Sequence, residues 1–212
     1  MRKFITSLLI LIGFGVTTTY ADTVVSGLMQ LPCGSYPGFM LLEDGAVLRG
    51  SGICTVIGGV AGVRNSTTRQ YRFRVEDLMI DGALANGYLG IDFRNVSHSV
   101  VKNVWIIHVL TGVFVYNLAL YNAFENVTIS LSPDPEFAGG IDGYEIIRGP
   151  DSGANQTTII GGAVGGPAPI GVYQRGSDFL TIIGTAFEGV KTCFDQQNFG
   201  FSMLGVRCDT RK

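Results

Sequence analysis

The stretches Val75-Glu-Asp-Leu-Met-Ile80, Val101-Lys-Asn-Val-Trp-Ile106 and Phe124-Glu-Asn-Val-Thr-Ile129 share one pattern. Each has apolar residues at its first, fourth and sixth positions and polar residues at its second and third positions. Short segments of this kind, rich in Val, Ile and Phe and alternating between two sides, are typical of β-strands. The pattern therefore predicts three equivalent strands rather than helices.

Segments of this kind recur along the chain at a nearly constant spacing. One series, with separations of 23, 26, 23, 31, 23 and 21 residues, consists of Ile57, Ile80, Ile106, Ile129, Ile160, Ile183 and Leu204. A second series, with separations of 22, 31, 28 and 22 residues, consists of Ile91, Val113, Tyr144, Val172 and Phe194. A unit this short cannot bury its own apolar face, so successive units must stack.

The stacking predicts an all-β fold, a parallel β-solenoid of roughly seven to eight coils. Alternation along the strands places Ile80, Ile106 and Ile129 inside and Trp105 outside. A flat β-sandwich is the alternative architecture, although a sandwich rarely keeps a fixed coil length over so many strands.

The first residues have the features of an export signal. Arg2 and Lys3 precede an apolar run from Phe4 to Val16, and small residues end the segment at Thr19 and Ala21. This order predicts a signal peptide over residues 1–21, a β-helix domain over residues 22–212 and a secreted, extracellular or periplasmic protein. A single membrane anchor is the alternative, but the apolar run is shorter than the ~20 residues that span a bilayer.

Export exposes the four cysteines to an oxidising compartment. Two disulfides, Cys33 with Cys54 and Cys193 with Cys208, are one interpretation, and buried free thiols are the other. The spacing of Cys and His is not that of a zinc site, and no metal ligands are predicted.

The composition limits the class of partner. The chain has 212 residues, of which 15 are Lys or Arg and 17 are Asp or Glu, with a net charge of −2 and 46% hydrophobic residues. Its apolar content excludes a disordered chain. Nucleic acids are bound through clustered Lys and Arg, and no such cluster occurs, so nucleic acid is not an expected partner. Stable membrane insertion after signal cleavage is not expected either.

Three stretches near the start of the mature chain carry a resemblance: Leu31-Pro-Cys-Gly-Ser-Tyr36, Gly45-Ala-Val-Leu-Arg-Gly-Ser-Gly52 and Thr55-Val-Ile57. They resemble the opening coils of the pectin-lyase-like right-handed parallel β-helix proteins, which include pectate lyases, polygalacturonases, rhamnogalacturonases and phage tailspike depolymerases. The coil pattern extends the similarity to about Cys208. The resemblance implies a right-handed β-helix that acts on or binds a uronate-containing polysaccharide. It also implies calcium as the only cofactor to consider, and a trimer if the chain is tailspike-like.

The sequence departs from this group in its catalytic motifs. Hydrolysis needs two carboxylates that meet across a groove, yet the sequence has no Asp-Asp, Asn-Thr-Asp or Gly-His-Gly segment. A polysaccharide lyase or hydrolase therefore remains one hypothesis. A non-catalytic β-helix module of a phage-tail-like or adhesin protein, or of a longer chain, remains the other.

Two candidate catalytic groups follow from the coil pattern. The first is a cleft at the short connection after Ile107, with Asp81 and His108 at its floor and Asp134 and Glu136 on its wall. The structural alternative is that Asp81 belongs to an Asp-Gly turn and that His108 is an ordinary surface residue.

The second group is an outward row of Asp92, Phe114 and Glu145, in which two acids flank an aromatic ring that suits a sugar. Solvation of an exposed strand is the alternative explanation. Binding without catalysis is a further possibility, through a stripe of exposed aromatic residues: Trp105, Phe114, Tyr121 and Tyr173.

Overall fold

The computed structural model describes residues 21–62, 69–85, 88–131, 142–150, 154–166, 170–197 and 200–210. These residues form β-strands, one short 3-10 turn over Gly82–Leu84, and no α-helix. The strands in chain order are β1 Thr23–Val25, β2 Leu28–Gln30, β3 Gly34–Leu42, β4 Val47–Arg49, β5 Thr55–Gly62, β6 Gln70–Tyr71, β7 Arg74–Asp81, β8 Leu89–Arg94, β9 Val96–Ser97, β10 Val100–Ile107, β11 Thr111–Tyr116, β12 Ala123–Ser130, β13 Asp142–Ile147, β14 Thr157–Ile160, β15 Ala163–Gly165, β16 Ile170–Arg175, β17 Leu180–Ile183, β18 Ala186–Val190, β19 Thr192–Gln196, β20 Phe201–Leu204 and β21 Arg207–Thr210.

The strands stack in parallel on three faces, and each turn of the chain crosses face A, then face B, then face C. Face A consists of β2, β4, the first halves of β7, β10 and β12, and then β14, β17 and β20. Face B consists of the first halves of β3 and β5, the second halves of β7, β10 and β12, and then β15, β18 and β21. Face C consists of β1, the second halves of β3 and β5, and then β8, β11, β13, β16 and β19.

This arrangement confirms the predicted parallel β-solenoid, and it contains about seven turns. The flat sandwich is wrong, because each strand pairs with its equivalents in the turns before and after it. One row of side chains on face B, Ile80, Ile106 and Ile129, is fully buried, as the alternation predicts. The core is therefore a set of continuous apolar rows that run along the solenoid axis.

The second series predicted from the sequence corresponds to face C and is confirmed at every position. Ile91, Val113, Tyr144, Val172 and Phe194 occupy equivalent positions in consecutive turns. These pairings fix which residues share a row on the outer side of this face.

The first series predicted from the sequence corresponds to face B only as far as Ile129 and is wrong after that residue. That residue pairs with Val164, whereas Ile160 pairs with Glu125 on face A. Ile183 and Leu204 continue the row of Ile160, and all three side chains are exposed.

The physical reason is a longer turn, because equivalent positions here are 35 residues apart, from Ile129 to Val164, rather than 31. The continuous strand β12 is followed in the next turn by two strands, β14 and β15, which are separated by Gly161 and Gly162. Both glycines have positive φ values, 63° and 71°, which an ordinary residue adopts only at a cost. The bend at these glycines does not lengthen the turn, because Ile160 and Ala163 pair with Glu125 and Thr128, which are equally far apart in β12. Ile160 is exposed because it occupies the outward position of Glu125.

A row of glycines lets face C approach face B closely. Gly90, Gly112, Gly143 and Gly171 are each the second residue of a face C strand. A Cβ atom on Gly112 would lie 2.6 Å from Ile129 Cγ2 and 2.7 Å from the Gly143 carbonyl oxygen. No side chain fits there, because protein interiors are already close-packed.

Two disulfides lie toward the two ends of the solenoid. Cys33 is bonded to Cys54, and Cys193 is bonded to Cys208. Of the two interpretations of the cysteines, disulfide bonding is the one in the structure, and the described residues include no free cysteine. None of the helical segments described is long and apolar enough to cross a membrane. The predicted signal peptide lies outside the described residues except for Ala21.

Candidate functional site

The outer side of face C carries a row of acidic and aromatic side chains. In five consecutive turns the row contains Asp92, Phe114, Glu145, Tyr173 and Asp195. Neighbouring parallel strands are about 4.8 Å apart, so residues two turns apart in the row are separated by about 10 Å. Asp92 and Glu145 flank Phe114, which is the arrangement predicted from the sequence. The pairings extend that row by Tyr173 and Asp195.

Arginine side chains lie over the two aromatic rings of this row. The Arg94 Nε lies 2.9 Å from Asp92 Oδ1, and the Arg94 guanidinium lies 5.0 Å from the centre of the Phe114 ring. Arg175 lies 4.5 Å from the centre of the Tyr173 ring. Asp92 is thus engaged in an ion pair, and its carboxylate orients a cation over an aromatic ring.

A further acid, Asp142, is buried beside the row. It lies three residues before Glu145 on β13, opposite Thr111 of the preceding turn. Only 2% of its surface is exposed, and its Oδ1 has no hydrogen-bond partner in the part of the chain that the structure describes. Burial first, and then the charges of Glu145 and Asp195, raise the pKa of Asp142 to about 7. Asp142 therefore keeps its proton in mildly acidic solution, unlike an ordinary carboxyl.

Glu145 has a more balanced environment than Asp142. Burial is the largest effect on Glu145 and raises its pKa overall, although a hydrogen bond from the Thr111 hydroxyl and the nearby charge of Arg94 lower it in part. The pKa values of both neighbouring carboxyls are therefore raised, that of Asp142 to about 7. Two neighbouring carboxyls with different environments can divide the roles of proton donor and base.

The structure also brings Asp81 and His108 together at the corner between faces B and C. The Nδ1 atom of His108 lies 2.9 Å from Asp81 Oδ1, which also accepts a hydrogen bond of 3.0 Å from the Ala83 backbone N–H. Asp81 is therefore the cap of the short 3-10 turn as well as the partner of His108. The Asp-Gly turn of the structural alternative is present, and Asp81 and His108 lie together as the cleft hypothesis predicts. Asp134 and Glu136, the expected cleft wall, lie outside the described residues.

The four aromatic residues considered as one stripe do not lie in one row. Phe114 and Tyr173 share the row on face C, but Trp105 lies on face B, between Met79 and Thr128 of the adjacent turns. Tyr121 lies at the corner between faces C and A and stacks on His98, with ring centres 4.8 Å apart. The prediction of a single stripe is wrong, because these residues occupy different sides of each turn.

The residues described do not fit the calcium site that the resemblance implies. They include no group of three His, Cys, Asp or Glu side chains placed to hold a metal ion. No chemical step is therefore derived through calcium.

Asp142 and Asp195 are the acidic residues that the sequence interpretation missed. Asp142 is followed by Gly143, and an Asp-Gly pair is usually a turn signal. The predicted equivalence of Val113 and Tyr144 already places Asp142 opposite Thr111, so the position of Asp142 could have been predicted from the sequence. The environment that raises its pKa comes from several turns and cannot be read from one segment.

Searches of protein-family models, curated proteins and solved structures find no match to this chain. The class of protein is accordingly defined by its architecture, a parallel β-solenoid. Its distinguishing feature is the row of acidic and aromatic residues on face C.

Proposed function

We propose that the protein is a secreted enzyme that binds an acidic, uronate-containing polysaccharide along face C and hydrolyses it there. The observation that carries the proposal is Asp142, a buried carboxyl with a pKa of about 7 whose Oδ1 has no hydrogen-bond partner among the described residues, near the charge of Glu145. Glycoside hydrolysis requires one protonated and one ionised carboxyl next to the same glycosidic bond. The two disulfides suit the oxidising compartment of a secreted protein.

The chemistry assigned to the pair is acid-base catalysis. Asp142 donates its proton to the glycosidic oxygen as the bond to the leaving sugar breaks, once substrate binding has opened its buried carboxyl toward the outer side of face C. Glu145 accepts a proton from the water that attacks the anomeric carbon, so the products are two sugar chains, one of which ends in a new reducing sugar. Asp195 raises the pKa of Asp142 and so helps to keep the donor protonated.

The neighbouring side chains suit a sugar acid. Phe114 and Tyr173 lie on either side of Glu145 in the row, each with an arginine over its ring, so aromatic and cationic groups together line the path of a sugar chain. Arg175, beside Tyr173, is exposed and has no carboxylate partner among the described residues. A guanidinium binds a uronate carboxylate in a bidentate manner.

The test compares wild-type protein with Asp142→Asn and Glu145→Gln on polygalacturonate, alginate and neutral glucans. Reducing ends and the ultraviolet absorbance of unsaturated uronate are measured together. Hydrolysis produces reducing ends without the absorbance, and both variants should lose at least about a hundredfold in rate. Asp178→Asn, an exposed acid away from the row, is the matched control and should retain the activity.

Wild-type cleavage should also fall as the pH rises through about 7, because Asp142 then loses the proton that it donates. Absorbance without this pH dependence would indicate a lyase. Binding without any cleavage would favour the second candidate, a non-catalytic β-solenoid module, and would remove the catalytic assignment.

A further inference from the structure

A second concave surface lies on the opposite side of the solenoid from face C, at the corner where face A meets face B. It is an open groove of about 410 Å³ that extends over consecutive turns. Its principal lining residues are Gly52, Ile53, Asp77, Asn103, Trp105 and Asn126. In a three-sided solenoid this corner is remote from the Asp142 site, so the groove needs an explanation of its own.

A ladder of polar side chains forms one wall of the groove. Asp77, Asn103 and Asn126 occupy the same corner in consecutive turns, with positive φ values of 57°, 52° and 52°. The Asn103 Nδ2 donates to Asp77 Oδ1 at 2.9 Å, and the Asn126 Nδ2 donates to Asn103 Oδ1 at 3.0 Å. These bonds fix the ladder rigidly, so its side chains are positioned before any ligand arrives.

The ladder does not use all of its hydrogen-bonding capacity. Each amide nitrogen has two protons, and the bonds to the neighbouring turn use one of them. Within the described residues, the second N–H groups, the Asn126 Oδ1 and the second Asp77 oxygen have no partner in the ladder. The amides of Asn103 and Asn126 belong to exposed residues. The wall thus presents alternating donors and acceptors at the spacing of the turns.

Apolar side chains complete the groove. Trp105 is 40% exposed, and Ile53 is 64% exposed. Thr128, which follows Trp105 in the outer row of face B, also lines the groove and is a small residue beside the large indole ring. An exposed indole next to ordered amides marks a surface that binds a partner with one apolar side and one polar side.

A pyranose ring has this character, because its C–H groups form an apolar face and its hydroxyls radiate from the edge. Asp77 is the charged residue among those that line the groove, and it is negative. The lining residues that the structure describes include no Lys or Arg to bind a uronate carboxylate, as Arg175 can on face C. A uronate is therefore repelled by Asp77, whereas neutral hydroxyls can donate to it. We infer that the groove binds a neutral pyranose unit of a polysaccharide, stacked on Trp105 and hydrogen-bonded to the Asp77–Asn103–Asn126 ladder.

The site is independent of the function proposed for face C, and its test does not use catalysis. Trp105 is the one tryptophan in the chain, so the intrinsic indole fluorescence reports on this groove alone. The protein is titrated with tetrasaccharides of glucose, mannose, galactose and xylose, and with tetragalacturonate. At least one neutral tetrasaccharide should shift or quench the emission saturably, and tetragalacturonate should bind at least about tenfold more weakly.

Variants locate the binding by calorimetry with the tetrasaccharide that binds best. Trp105→Ala and Ile53→Glu should each weaken binding about tenfold or more, in line with the loss of an interface anchor. Ile53→Glu guards against misfolding, because residue 53 is exposed and tolerates a polar side chain. Tyr121→Ala, an exposed aromatic at another corner, should bind like wild type. The inference is overturned if no neutral tetrasaccharide saturates the signal, or if binding survives both groove variants.

Discussion

The His108 imidazole is hydrogen-bonded to Asp81 across adjacent turns of the solenoid, with Nδ1 and Oδ1 2.9 Å apart. The Asp81 Oδ1 accepts this hydrogen bond, and the histidine donates it through Nδ1. The same carboxylate also caps the Gly82–Leu84 turn. One side chain therefore fixes both the corner of its own turn and the histidine of the next turn.

This pair gives the first prediction, which separates the two candidate catalytic groups. The double variant Asp81→Ala, His108→Ala should lower the free energy of unfolding by about 0.5–2 kcal/mol, the combined value of a turn cap and a partly exposed side-chain hydrogen bond. It should retain polysaccharide cleavage, because the proposed chemistry belongs to Asp142 and Glu145. Urea unfolding and reducing-end assays check the two parts. Cleavage lost from a well-folded double variant would move the catalytic site to this corner.

The second prediction concerns stability and pH at Asp142. The pKa of about 7 in the folded protein lies above the ordinary value of 3.8, so the folded state holds the proton more tightly than the unfolded state. The resulting stabilisation is complete below about pH 3.8 and is lost as the pH rises through about 7. Urea unfolding from pH 4 to pH 8 should show this decline in wild-type protein and a flatter profile in Asp142→Asn. Identical profiles would contradict the assignment of the pKa to this residue.

The third prediction tests the buried row on face B. Ile106→Ala should reduce the free energy of unfolding by about 2–5 kcal/mol, because it removes a fully buried side chain and leaves a cavity. Lys102→Ala, on the exposed side of the same strand, serves as the control and should cost less than about 1 kcal/mol. Denaturant titration measures both. A loss below about 1 kcal/mol for Ile106→Ala would place the residue outside the core.

The fourth prediction tests the close approach of faces B and C. Gly112→Ala should destabilise the fold by about 1–3 kcal/mol or more, since the added methyl group meets Ile129 and the Gly143 carbonyl. Gly165→Ala is a matched control in a neighbouring strand, where the nearest atom to the new Cβ is 3.8 Å away. Its effect on thermal unfolding should be small or slightly stabilising. Equal effects of the two substitutions would show that the glycine row is not required for packing.

The sequence was sufficient to predict the solenoid because its signal is repeated in every turn. An error in one strand is then corrected by its neighbours, as the face C series from Ile91 to Phe194 shows. The error on face B arose where Ile159 and Ile160 are adjacent, since an apolar residue does not reveal which side it faces. The pairing of Ile160 with Glu125, an outward position on face A, determines that Ile160 is exposed.

The sequence was sufficient to predict which residues share the row of the candidate site, but not their pKa values. The alignment placed Asp92 and Glu145 on one outer row, and it contained the position of Asp142 as well. The pKa of Asp142 depends on how completely its surroundings exclude water and on charges from a different turn. The pKa therefore depends on many contacts in the folded structure, and no short sequence pattern predicts it.

The positions of the two disulfides affect how this molecule unfolds. Each turn of a solenoid is bonded to the turns beside it, and a terminal turn has one neighbour, so loss of structure ordinarily spreads inward from fraying ends. The Cys33–Cys54 bond joins consecutive turns near one end, and the Cys193–Cys208 bond joins β19 to β21 near the other. While both are intact, the turns that each bond joins stay tethered when the hydrogen bonds between them open, so local opening there is readily reversed. Reduction should therefore make these turns more susceptible to a protease.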